Sequence, residues 1–319
     1  MENLHFQELE HGITCIDIEF MHEGIASSYI IEEKDKYALI ETGPGNSIPI
    51  LLSYLSLKKI PVESIEYVIL THVHLDHAGG AGLLMQHLPK ARLVVHPRGA
   101  RHMADPAKLL AGAIEVYGEE ELKKNFGEIL PTPVDRIIEA PDGFSLSLGD
   151  RKLEFLETPG HAKHHNSIWD AKSQGMFTGD TFGISYAPFK TEKGSFVFAS
   201  SSPVQFDPKA AHESIEKILK YQPQYIYPTH YGRLENIQLL ARQLHESIDI
   251  LASIAQSTPA GPERLKNMQN KIEKVYFEKL KNHGCTLDRE TILKYWKTDI
   301  ELNAQGLECW LENLQKDKK

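Results

Sequence analysis

Residues 71–80 read Thr71-His72-Val73-His74-Leu75-Asp76-His77-Ala78-Gly79-Gly80, which places three imidazoles and a carboxylate within six positions. The strand-like run 67–70 precedes them. If it opens into a short loop, His72 and His74 project to one side, because extended residues alternate faces. Asp76 and His77 then turn toward a point slightly further on. One metal ion would take the first pair and a neighbouring ion the second. Neutral imidazole nitrogen with carboxylate oxygen suits zinc, and also iron or manganese, whereas calcium and magnesium favour oxygen.

Three later segments each end a strand-like run with one further candidate ligand. Thr158-Pro159-Gly160-His161 follows 152–157, Thr178-Gly179-Asp180 follows 176–177, and Pro228-Thr229-His230 follows 225–227. Two ions need about three protein ligands each and a shared bridge. His72, His74 and His161 on one side, Asp76, His77 and His230 on the other, and Asp180 between them meet that demand.

In this order the motifs resemble those of the metallo-β-lactamase-fold hydrolase superfamily, over residues 12–235. The resemblance implies an α/β (α+β) architecture, an αββα four-layer sandwich with the metal pair at one end. One position departs from the pattern: Leu39-Ile40-Glu41-Thr42-Gly43 has Glu41 where relatives usually have Asp. Either carboxylate can orient a ligand histidine from behind, so Glu41 is expected to support the site.

Two adjacent cations imply a mechanism. A water bridging metals about 3.5–4 Å apart is acidified toward a pKa of about 7, giving a metal-bridging hydroxide as nucleophile without serine or cysteine. Asp76 is expected to pass a proton to the leaving group. Resemblance to the glyoxalase II and lactonase-like branch adds two catalytic candidates, His165 in the turn after His161 and Tyr186 six residues past Asp180. His165 would contact a substrate or intermediate oxygen, and the Tyr186 phenol the oxyanion or leaving group.

The 319 residues are 41% hydrophobic and 25% charged, ordinary values for a globular chain long enough for the sandwich and a second module. Only the Lys-rich tail 316–319 reads as unstructured. The net charge of -9 disfavours long nucleic acids. Met1-Glu2-Asn3-Leu4-His5 lacks a basic stretch followed by an apolar run, so neither a secretory signal nor a membrane span is expected. Cys15, Cys285 and Cys309 are odd in number and widely spaced. They predict no disulfide framework, no sulfur-ligated metal and a cytoplasmic location.

Periodicity predicts strands at 14–18, 28–32 and 37–40, a helix at 47–57, a strand at 67–70, a helix at 79–88 and a strand at 93–95. Residues 98–126 read as an insertion of short helices covering the metals, with the second half of the sandwich beginning near Arg136. Its first turn carries Arg98, Arg101 and His102 as substrate-binding candidates, since arginine grips carboxylate or phosphate. A solvated helix start or an internal ion pair is the structural alternative. Asp207 should cap a helix from Pro208. Residues 1–233 therefore form the catalytic domain, and 234–319 a helical C-terminal domain broken at 258–262 and at Gly284. These helices offer packing surfaces, a homo-oligomer interface or a cap over the cleft.

The expected function is binuclear metal-dependent hydrolysis of a small-molecule ester, thioester or lactone, with two divalent ions, zinc first and iron or manganese as alternatives. The rival readings are a diiron redox or oxygen-binding protein, an iron-dependent sulfur dioxygenase, and a phosphodiesterase or nuclease. Fold alone does not separate them.

Overall fold

The computed structural model describes residues 4–316, so most of the Lys-rich tail and the first three residues lie outside the described residues. The first half builds one sheet and its helices: β1 (Phe6–Glu8), β2 (Ile13–Asp17), β3 (Ser27–Glu33), β4 (Lys36–Ile40), α1 (Ile48–Leu57), β5 (Ile65–Ile69), α2 (Leu75–Ala78), α3 (Ala81–His87) and β6 (Arg92–Val95). The insertion follows as α4 (Pro97–Ala104), α5 (Ala107–Tyr117) and α6 (Glu119–Phe126), and then β7 (Ile137–Glu139). The seven strands lie in sequence order, antiparallel from β1 to β4 and parallel from β4 to β7.

The second sheet contains β8 (Ser145–Leu148), β9 (Arg151–Glu157), β10 (Asn166–Asp170), β11 (Gly175–Gly179) and, after α7 (Pro208–Leu219), β12 (Tyr225–Pro228). Its order is β12-β11-β10-β9-β8, with only β11 and β12 parallel. One expectation needs adjusting. The second half does not begin near Arg136, because Ile137 pairs in parallel with Leu93 and makes β7 an edge of the first sheet. Three residues are too few for alternation to reveal the pairing.

Side-chain parity explains the four layers. Tyr29, Ile31, Ala38, Ile40, Ile69 and Val94 of the first sheet share a buried cluster with Leu153, Phe155, Ile168 and Phe177 of the second. Their strand neighbours Ile30, Leu39, Val68 and Leu93 point the other way, into the cluster that contains Leu51 and Leu55 of α1 and Leu84 of α3. The central strands β3 to β6 thus bury both faces, one against the opposing sheet and one against helices. The capping expected of Asp207 is present, its side chain accepting from Ala210 N–H at 3.1 Å.

The C-terminal chain forms α8 (Ile237–Ser257), α9 (Arg264–His283) and α10 (Arg289–Lys316). Trp296 of α10 is fully buried among Phe189, Phe196, Phe198 and Tyr276. Asn303 Oδ1 accepts the Ser201 N–H at 2.6 Å. The last helix is thereby fastened to the segment that follows Asp180. Among the described residues no helix is long and apolar enough to cross a membrane.

Candidate metal centre

Every predicted ligand stands at the same end of the sandwich. His72 and His74 lie just past β5, Asp76 and His77 on the single-turn helix α2, His161 past β9, Asp180 past β11 and His230 past β12. Two glycines make the approach feasible. At Gly160 (φ 128°) a Cβ would sit 2.4 Å from the Ala211 backbone of α7. At Gly179 (φ 48°) it would sit 2.4 Å from Thr71 Oγ1 and 2.6 Å from His165 Nε2. The chain bends beside His161 and Asp180 where other residues would be strained or excluded.

One nitrogen each from His72, His74 and His161 lies within 4.8 Å of the other two, and so do ligand atoms of Asp76, His77 and His230. His161 Nε2 is 2.9 Å from His74 Nδ1, and His230 Nε2 is 3.2 Å from Asp76 Oδ2. Asp180 stands between the two groups, with Oδ1 3.3 Å from His77 Nε2 and 3.8 Å from His230 Nε2, and Oδ2 3.5 Å from His161 Nε2.

The atoms left over fit a cation. Among the described residues His72 Nε2, His77 Nε2 and Asp180 Oδ1 are buried without a hydrogen-bond partner, an expensive state for polar atoms. The opposite nitrogens are engaged. His72 Nδ1 meets Thr71 Oγ1 at 3.1 Å, His77 Nδ1 meets Glu41 Oε2 at 2.5 Å, and His230 Nδ1 meets the Ile25 carbonyl at 2.9 Å. This is how ligand imidazoles are held, one nitrogen anchored and the other presented.

Electrostatics distinguish the two groups. Burial, reinforced by the neighbouring imidazoles, holds His72 and His74 well below the usual histidine range, in the neutral form that binds metal. Burial would lower His77 as well, but Asp180, Asp76 and Glu41 outweigh it and raise it well above that range. Asp180 is pulled well below the usual carboxylate range, with His77, His230 and His161 overcoming the cost of burial.

Glu41 has both oxygens committed: Oε1 accepts the Thr71 N–H at 2.6 Å, and Oε2 faces His77. Its backbone is left-handed, at φ 66°. The carboxylate therefore braces the first histidine loop and α2 at once.

The expected substrate contact of His165 is corrected by its surroundings. The ring is fully buried, Nε2 accepts the Asp180 N–H at 3.2 Å, and Nδ1 lies 3.2 and 3.1 Å from the Thr158 and Thr181 hydroxyls. Since Nε2 accepts, neutral His165 carries its hydrogen on Nδ1. It fixes the loop of Asp180 from behind. His164 instead faces the insertion, its ring 5.6 Å from His74 and 6.5 Å from His102.

The insertion packs on the helix of Asp76 and His77, through a cluster of Leu75 with Leu122 and Phe126. Arg98 and Arg101 are exposed, and Arg101 Nε lies 3.4 Å from His102 Nε2. The internal ion pair considered for these arginines is not found among the described residues. Tyr186 is buried, its ring centre 6.1 Å from that of His230.

The Tyr186 hydroxyl donates to Asp299 of α10 at 2.8 Å. Asp299 is not among the residues to which the sequence draws attention. Burial, with the charges of Asp180 and Asp76, pushes its carboxyl up to about 7. The available signal was a carboxylate on a helix face that turns inward, with buried Trp296 and Asn303 on the turns either side of it.

Residues 22–230 match the family model of the metallo-beta-lactamase superfamily, and the chain belongs to that family. It is 27% identical over 232 residues to a metallo-beta-lactamase fold-containing protein of Sulfurisphaera tokodaii, covering 70% of this chain and 78% of that protein. It is 25% identical over 153 residues to a hydroxyacylglutathione hydrolase of Yersinia enterocolitica, covering 48% of this chain and 45% of the relative. A metallo-beta-lactamase family protein from Thermus thermophilus shares the fold, with a TM-score of 0.64 at 18% identity, over 90% of this chain and 93% of the other.

Proposed function

We propose that the chain is a binuclear metal-dependent hydrolase of a small ester, thioester or lactone. His72, His74 and His161 would hold one divalent ion, Asp76, His77 and His230 the other, and Asp180 both. The observation that carries this reading is the pairing of two three-residue ligand groups around one carboxylate, with buried His72 and His77 nitrogens that lack a hydrogen-bond partner among the described residues. Similarity to a hydroxyacylglutathione hydrolase supports acyl transfer to water. Zinc is the favoured ion, with iron or manganese as alternatives.

When bound, such ions supply an acidified water and polarise the oxygen under attack. The protein's own residues do the rest. Asp76, about a quarter exposed and kept ionised by His77 and His230, takes the proton that the attacking water sheds and passes it to the leaving group. Glu41 and His165 keep His77 and Asp180 in place, and Tyr186 borders the site on the His230 side. Arg98, Arg101 and His102 of α4, where the His102 ring lies 6.5 Å from that of His164, are assigned to an anionic substrate.

Purified protein should hydrolyse at least one of p-nitrophenyl esters, thioesters and homoserine lactones in a chelator-sensitive way, ahead of bis-p-nitrophenyl phosphate. Elemental analysis should give at least two zinc ions per chain, and Asp180→Asn should lose at least one. A phosphodiester preference would overturn the substrate class. Oxygen consumption by an iron form that hydrolyses nothing would replace hydrolysis with redox chemistry.

A further inference from the structure

Away from this centre, His212 of α7 and His245 of α8 face each other with Nδ1 atoms 2.6 Å apart. Their rings are within 13° of parallel, with centres 4.9 Å apart. Each far nitrogen meets a carboxylate from the opposite helix, His212 Nε2 at 3.1 Å from Asp249 Oδ1 and His245 Nε2 at 3.0 Å from Glu216 Oε1. The sequence encodes this twice, as H-x-x-x-E at 212–216 and H-x-x-x-D at 245–249, a spacing that puts both members on one helix face.

Three such contacts require three hydrogens, and two neutral imidazoles carry two. With no hydrogen between them the two Nδ1 atoms would meet lone pair to lone pair, a contact that a bound cation relieves. The carboxylates draw the ring hydrogens to the Nε2 atoms, which leaves both Nδ1 lone pairs aimed at a common point. A carboxylate behind each imidazole is the support that metal-ligating histidines usually have.

We propose that His212 and His245 form a separate binding site for one divalent transition-metal ion of the imidazole-preferring kind, zinc or copper, clamping α7 to α8. Tetrahedral bonds of about 2.0–2.1 Å set ligand nitrogens about 3.3–3.4 Å apart, so the two Nδ1 atoms, now at 2.6 Å, need to part by roughly 0.7 Å. Both side chains lie near the surface, 31% and 24% exposed, so they can move and water can complete the coordination. Glu216 and Asp249 remain on the far nitrogens as hydrogen-bond acceptors.

The test is zinc titration of the full-length protein, already replete at its main centre, by calorimetry. Wild type should take up one equivalent more than His212→Ala, His245→Ala or the double variant, and the three variants should agree. Because the readout is a difference, it holds whatever the main centre binds, and it is independent of hydrolysis. Combined Glu216→Gln and Asp249→Asn should keep the equivalent but weaken its Kd about 10- to 100-fold. Copper added to wild type should give an electron paramagnetic resonance spectrum with coupling to two nitrogens. His245→Gln serves if an alanine variant fails to fold. Equal zinc uptake by wild type and folded variants would overturn the proposal, as would imidazole NMR signals that respond to acid and not to zinc.

Discussion

The phenol of Tyr186 donates a 2.8 Å hydrogen bond to Asp299 Oδ2, tying the segment after Asp180 to a helix 113 positions further along the chain. Removing the hydroxyl in Tyr186→Phe leaves that carboxylate without its donor. The expected cost is about 1–3 kcal/mol, read as a lower urea midpoint. Metal content should be unchanged, because neither residue offers an atom to the ligand groups. Asp299→Asn retains an acceptor oxygen and should cost less. If Tyr186→Phe stripped the metal, the separation of Tyr186 from the ligand groups would be wrong.

Glu41 offers a sharper test, since its two oxygens do different work. Glu41→Gln keeps one oxygen for the Thr71 N–H but turns an NH₂ toward His77 Nδ1, or the reverse. Either outcome disturbs the orientation of His77, and metal affinity should fall about 10- to 100-fold with the fold retained. Competition with a chromophoric chelator measures this directly. Unchanged affinity would mean that the Glu41–His77 contact has no bearing on binding.

Arg101 is exposed and, among the described residues, engages only His102. Arg101→Ala should therefore shift stability by no more than about 0.5 kcal/mol. With an anionic substrate, KM should rise while kcat and metal content stay level, the pattern of a lost positioning contact. Equal KM values for the two proteins would remove Arg101 from the substrate site.

Cys15 gives a pH signature. Burial pushes its thiol up to about 12 from an ordinary value of 9.0. The folded protein therefore keeps a proton that the unfolded chain releases above pH 9. Stability from this group is complete below about pH 9 and is lost as pH rises toward 12, by about 1.4 kcal/mol at pH 10. Urea titrations at pH 8 and 10 should show that decline in wild type and a shallower one in Cys15→Ala. In the native state at pH 8, Cys285 and Cys309 should alkylate well before Cys15, which is buried.

The metal centre was readable because its chemistry is concentrated in short motifs at strand ends, where His72 to His77 needed no tertiary information to be noticed. The long helices were readable for a similar reason, since Leu240, Leu244, Ile248 and Leu251 repeat on one face. His165 and Asp299 were misjudged or missed because their roles depend on what lies behind them. One sits beneath Asp180, and the other reaches the centre only through Tyr186 after α10 has docked. The three residues of β7 carry no periodic signal at all.

The partners in the centre are also far apart in the chain: His230 and Asp76, which face each other at 3.2 Å, are separated by 154 positions. Loops of that length close late and slowly, because their entropy must be offset before any contact forms. A nascent chain emerging from the ribosome carries its dense histidine motif long before His161, Asp180 and His230 exist to complete it. During synthesis that motif is an exposed, half-built set of candidate ligands, and only release of the last sandwich strand lets the chain complete it.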